Sequence, residues 1–294
     1  MHPTTTTTTT RARHCRITLS VLLGITLFAP IAVSGGPATA AAAAAATKIS
    51  LKFDGKTKKL TGFPATVPGG LTTITVGGGT YGVSVQLARL TSTRTDAEIE
   101  KNINSEDGPP PWVTLQGGTA GGARAAVTRT ATVNLEGGNY IWVVFSDGEE
   151  LNKTSPWARF TVTGTKSATE PSGPKSSVRT LEYGFDLTGL VAGRNTVVYS
   201  NGGKEWHHVA MQKLMPGKTL ADFQKALAAP QNGPPPVGLI NDKASAQLPV
   251  LSPGLTEVAD FTLTRGTYVF VCFMPDKAGK PHFMDGMVRE VKIT

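Results

Sequence analysis

Apolar and polar positions alternate with a period of two along much of this chain. Leu181, Tyr183, Phe185 and Leu187 fall on one face, Phe261 and Leu263 on another, and residues 267–273 are rich in β-branched and aromatic side chains. Successive side chains of a strand point to opposite faces, so this pattern predicts half-buried strands. Gly and Pro clusters punctuate the runs as turns. Two segments switch to helical spacing, Ile99 with Ile103, and Leu220 with Phe223 and Leu227. Each follows a capping box, Thr95-x-x-Glu98 or Thr219-x-x-Asp222, in which side chains at the helix start satisfy backbone N–H groups that lack an intrahelical partner. The pattern predicts an all-β fold with short helices set into connections.

The helical segments belong to an internal repeat. Tyr81-Gly-Val-Ser-Val-Gln-Leu-Ala-Arg-Leu90 aligns with Glu205-Trp-His-His-Val-Ala-Met-Gln-Lys-Leu214. After each helix comes the same breaker, Gly108-Pro-Pro-Pro111 or Gly233-Pro-Pro-Pro236, and Gly138-Asn-Tyr140-Ile-Trp142-Val-Val144 aligns with Gly266-Thr-Tyr268-Val-Phe270-Val-Cys272. Copies of about 120 residues are each large enough for a core of their own. We therefore expect two tandem Greek-key β-sandwich domains, residues 48–165 and 177–294, each with one short helix in a connection. Residues 166–176, with Pro171, Gly173 and Pro174, read as the linker.

The first 40 residues have the form of a signal peptide. Arg11, Arg13 and Arg16 precede an apolar run from Ile17 to Val33, and Ala38-Thr39-Ala40 has the small-residue form of a cleavage site. A secreted, extracytoplasmic protein is expected, an uncleaved membrane anchor being the other reading. Residues 41–47 form an alanine-rich low-complexity segment. Without the three arginines of residues 1–40 the net charge falls from +8 to +5. The remaining charges are scattered and form no basic stripe, so a nucleic-acid partner is not expected. Neither a Gly-rich phosphate loop, nor His-Glu-x-x-His, nor a nucleophile elbow occurs, so we expect no enzyme and no small-molecule substrate.

Of two cysteines, Cys15 leaves with the signal peptide and Cys272 stays. A lone thiol in an oxidising compartment is either buried as a small apolar group or coordinated. Cys272 ends a strand, His282 and Met287 follow on its return, and His207 and His208 lie upstream. Two imidazoles, a thiolate and a thioether are the ligand types of a blue-copper site. Strand alternation puts His207 inward with Val209 and Met211, and His208 outward with Ala210 and Gln212; a bulge would exchange the two. Met274 and Met284 read as packing residues.

With Asn201 just before His207, the Pro253-Gly254 turn, Gly266-Thr-Tyr-x-Phe-x-Cys272 and His282-x4-Met287, the second copy resembles the plastocyanin-type cupredoxins. The resemblance implies one copper ion held by His207, Cys272, His282 and Met287, used for electron transfer with a redox partner protein. Asn201 and the backbone near His207 are the expected tuning groups around the ligands. One departure is the nine-residue insert 273–281 between Cys272 and His282, where the family keeps a shorter loop; it reads as a solvated turn.

The first copy has Val83 and Val144 where the second has His207 and Cys272, and its return, 146–156, holds neither His nor Met. It is expected to keep the fold without metal and to serve docking, spacing or cell-surface contact. The resemblance extends to multicopper oxidases, but those need many histidines, and after residue 40 the chain has three, His207, His208 and His282. A metal-free binding module and a copper carrier without electron transfer remain the other readings of the same residues.

Overall fold

The alternating segments form strands gathered into two sheets, in a computed structural model that describes residues 46–294 apart from 55, 58, 78–82, 104–107, 123–126, 147–154 and 229–237. The signal peptide, the alanine tract up to residue 45, Tyr81 and the second Gly-Pro-Pro-Pro run lie outside the described residues. The first strand, Thr47–Asp54, starts at the end of the alanine-rich segment. Strands dominate, and the helices are Asp96–Ile103 and Leu220–Ala228 with two single turns of 3₁₀ helix.

In one sheet the order is Gly184–Thr188, Ser177–Leu181, Gly193–Asn201, Thr256–Leu263, Arg129–Leu135, Gly70–Gly77, Thr47–Asp54 and Lys59–Thr61. In the other it is Val288–Ile293, Gly266–Val271, His207–Lys213, Ala246–Leu251, Val113–Gly118, Val83–Leu90, Gly138–Ser146, Trp157–Thr163 and Thr66–Pro68. Each order places the later copy on one side and the earlier copy on the other. At both seams repeat-equivalent strands meet: 256–263 pairs with 129–135, and 246–251 with 113–118. The seam is thus the intrachain counterpart of a two-fold interface, in which one surface meets its own equivalent.

The alternation sends one face of each strand between the sheets. Val85, Leu87, Ile74, Val133, Tyr140 and Phe160 fill the space in the first copy. Val197, Tyr199, Val209, Met211, Leu248, Phe261, Phe270 and Cys272 fill it in the second. Each fully buried Val, Leu or Phe contributes roughly 1.5–3 kcal/mol. The helices cover the outer faces: Ile99 seals one apolar cluster and Phe223 another. Both capping boxes form, with Thr95 N–H donating to Glu98 Oε2 at 2.8 Å and Thr219 N–H to Asp222 Oδ2 at 2.9 Å.

Polar side chains cross the seam. The Gln86 amide donates to Gly117 O and Val250 O and accepts from Val250 N–H at 2.8 Å. Ser252 Oγ accepts from Leu115 N–H at 2.8 Å, and Glu257 Oε2 from Gly118 N–H at 2.7 Å. The segment 166–176 is tied down by Asn134, whose amide exchanges hydrogen bonds with Ser167 N–H and O.

One expectation about periodicity fails. Leu181, Tyr183, Phe185 and Leu187 do not share a continuous strand: a two-residue turn at Glu182-Tyr183 joins two short strands, with Leu181 facing Gly184 across the ladder. Tyr183 carries φ 61°, the one positive φ outside glycine among the described residues. A left-handed conformation costs a Cβ-bearing residue roughly 1–2 kcal/mol. Tyr183 packs against the second core all the same, which is why the apolar pattern ran on through the turn.

Candidate metal centre

His207, Cys272 and His282 converge at one end of the second core. Their ligating atoms lie within 4.8 Å of one another and all three side chains are buried. His207 opens its strand. A register irregularity between His207 and Val209 disturbs the pairing but leaves the alternation intact. His207 is therefore 0% exposed, Val209 and Met211 follow it into the core, and His208 turns outward. The His208 ring accepts the Phe273 N–H at Nε2, 2.8 Å away.

Cys272 ends its strand with the thiol inward. The insert that follows folds back on itself. Pro275 and Pro281 form an antiparallel bridge, and Asp276 caps the tip by accepting the Ala278 and Lys280 N–H groups at 2.8 Å. The neck closes where His282 N–H donates to Met274 O at 2.9 Å. His282 thus begins a 3₁₀ turn beside the cysteine it was separated from, and Phe283 N–H donates to Cys272 O at 3.1 Å. Gly286, at φ 99°, ends that turn. Met287 then lies buried in the same core as Cys272, its N–H bonded to His282 O and its carbonyl accepting the Cys272 N–H at 3.2 Å. Met284 is exposed, and Met274 packs partly against the core.

Both imidazoles turn Nδ1 toward the thiol. Sγ lies 3.6 Å from His282 Nδ1 and 3.9 Å from His207 Nδ1, and the two Nδ1 atoms are 3.1 Å apart. An ion at the middle of a trigonal donor set, with bonds of ~2.0–2.3 Å, needs donor separations of ~3.5–4.0 Å. The two edges to Sγ have that length and the Nδ1–Nδ1 edge is shorter, so the rings would part by a few tenths of an ångström around an ion; two imidazole nitrogens with one thiolate suit a soft or borderline transition metal. Burial sets the protonation states. It pushes the Cys272 thiol up to about 11, with the backbone N–H groups of His208 and Met274 pulling weakly the other way. Burial, followed by the proximity of His282, brings His207 down to about 4. His208 is likewise held at about 4, by burial and then by the neighbouring His207. At neutral pH the pocket therefore offers a protonated thiol and a neutral His207 imidazole.

No protein-family model matches the chain, and no curated protein matches it either. Among solved structures it is similar to the dithionite-reduced auracyanin of Roseiflexus castenholzii, at 24% identity, over 40% of this chain and 94% of that one, with a TM-score of 0.28. Auracyanin A of Chloroflexus aurantiacus, a "blue" copper protein, matches at 20% identity over 40% of this chain and 99% of that one, with a TM-score of 0.24. The copper-containing nitrite reductase of Thermus scotoductus matches at 10% identity over 85% of this chain and 62% of that one, with a TM-score of 0.23.

The surroundings of the site differ from expectation. Asn201 does not reach the sulfur or either ring: its amide donates to Glu205 O at 2.7 Å and Leu251 O at 2.8 Å, and accepts from Gly203 N–H. It folds the 201–205 loop instead. The charged neighbours of the imidazoles were not foreseen. Glu205 Oε2 lies 2.9 Å from His282 Nε2, Glu182 Oε1 lies 3.8 Å from His207 Nε2, and the Tyr183 ring stands edge-on to His282 with centroids 5.3 Å apart. Glu205 could have been found, since it shares the alternation phase of His207. Glu182 arrives through a hairpin that periodicity alone does not place.

Proposed function

We propose that this chain is an exported one-electron carrier, in which His207, Cys272, His282 and Met287 would hold a single type 1 copper ion. The observation that carries this reading is the fully buried triangle of two Nδ1 atoms and one Sγ, whose two edges to the sulfur have the length an ion requires. Copper bound there would supply a Cu(II)/Cu(I) couple, the redox chemistry that a Cys/His/His donor set with a thioether favours. In this reading the second copy, 177–294, is the cupredoxin-like domain, and the first, 48–165, is its metal-free partner across the linker 166–176.

The chain's own residues do three things. The buried thiol gives up its proton when it ligates, so loading releases one proton from Sγ at neutral pH. The neutral His207 ring accepts an ion without competition from a proton. Burial of all three donors excludes water and favours retention over the exchange a copper carrier requires. A redox partner protein would dock at this end of the molecule, where Phe273 and Met284 are exposed. The first copy, with Val83 and Val144 both buried in its core, serves as scaffold or surface contact.

The test is a Cu(II) titration of residues 41–294. One equivalent should bind and produce an intense blue thiolate-to-copper band. Cys272→Ser should abolish the band, and His207→Ala should damage it more than His208→Ala. A colourless protein that takes up no copper would favour the metal-free module.

A further inference from the structure

Each imidazole of the donor triangle turns its outer nitrogen to a carboxylate, and neither ring edge reaches solvent. His282 Nε2 meets Glu205 Oε2 at 2.9 Å, a hydrogen bond in which the ring donates. His282 is 0% exposed and the Glu205 side chain 20%. His207 Nε2 is buried without a hydrogen-bond partner among the described residues, and Glu182 Oε1 stands 3.8 Å away. The approach is built. Glu182 Oε1 accepts the backbone N–H groups of Lys204 and Glu205, which fixes it against the loop that leads into His207. Gly203 lies in the gap: a Cβ there would stand 2.7 Å from His207 Nε2 and 2.8 Å from Glu182 Oε1, both too close. The strained Glu182-Tyr183 turn brings the carboxylate to one ring and the Tyr183 edge to the other.

We propose that Glu205 and Glu182 are positioning residues that cap the two ligand imidazoles with negative charge and so bias the bound ion toward its oxidised state. This rests on the copper reading above. A carboxylate accepting the outer N–H fixes the tautomer that leaves Nδ1 free for the metal, and it raises the basicity of the ring. A ring made more basic, with an uncompensated negative charge behind it, favours Cu(II) over Cu(I). Glu205 acts through a hydrogen bond, whereas Glu182 acts through charge alone at 3.8 Å. The same caps close the outer edges of both ligand rings, while the partly buried His208 binds the Phe273 N–H next to Cys272.

The experiment compares the copper-loaded full chain with Glu205→Gln and Glu182→Gln. Each change keeps an acceptor oxygen in place and removes only charge. Midpoint potentials are read by spectroelectrochemical titration, and Cu(II) and Cu(I) affinities by competition with chelators. Glu205→Gln should raise the midpoint potential and weaken Cu(II) binding by about 10-fold or more, with a smaller loss for Cu(I). Glu182→Gln should shift the potential in the same direction by less. Glu205→Leu, which removes the acceptor as well, should weaken Cu(II) further, and the exposed Glu136→Gln should change nothing. If the wild-type protein shows the blue band but both glutamine variants keep its potential and affinity, the capping role is overturned and the copper reading stands. If the wild-type protein takes up no copper, the copper reading itself falls.

Discussion

His207 and His208 are adjacent in sequence and opposite in placement. One faces the donor triangle, and the other accepts a backbone N–H at the rim. Both are held near 4 by burial, below the ordinary 6.5 of an imidazole. Their folded-state values are depressed, so the unfolded chain takes up protons first as pH falls. Stability of the metal-free protein is therefore undiminished above pH ~6.5 and declines as pH drops toward 4, by roughly 3 kcal/mol for the fully buried His207 and by less for the partly exposed His208. Urea midpoints measured from pH 7 to 4 should show this decline, and His208→Gln should flatten it. A midpoint independent of pH in wild type would contradict the burial that sets both values. At this scale the inward placement of His207 was legible because strand phase decides which of two neighbouring histidines faces the core. Glu182 and Gly203 were not, because their part in the site depends on which chain segments meet in space.

The nine-residue insert is the element on which the site's geometry turns. Length alone suggested a solvated excursion, which it is, but one pinched at its base by the His282 N–H to Met274 O bond and the Pro275–Pro281 bridge. The neck places His282, and the tip beyond it only closes the loop. Replacing residues 276–280 with Asn-Gly, which favours a tight turn, should leave copper stoichiometry and the blue band unchanged; loss of the band would show that the tip itself positions the ring. Capping boxes and helices were read correctly because their signals are local. The Glu182-Tyr183 turn was missed because a tight hairpin can keep an apolar alternation running through it, and Tyr is not the residue a left-handed position advertises.

Across the whole molecule the two copies share both sheets, through strand pairs 256–263 with 129–135 and 246–251 with 113–118. The internal repeat was visible in the sequence, but the seam was not, since strand pairing between copies leaves no local pattern. Gln86 closes the seam with its amide, and Gln86→Leu would remove its bonds to Val250 N–H and to the carbonyls of Leu87, Gly117 and Val250. At ~1–3 kcal/mol for each buried polar group left without a partner, a loss of about 3 kcal/mol is expected in urea unfolding. Calorimetry of the wild-type protein should show one cooperative transition spanning both copies, and two well-separated transitions would contradict a seam of this strength.

The most direct measurement is anomalous diffraction at the copper edge from crystals grown with Cu(II). One strong peak is expected per chain, inside the triangle of His207 Nδ1, His282 Nδ1 and Cys272 Sγ and at bonding distance from all three. No peak there, or copper found only at surface histidines and carboxylates, would contradict the metal centre.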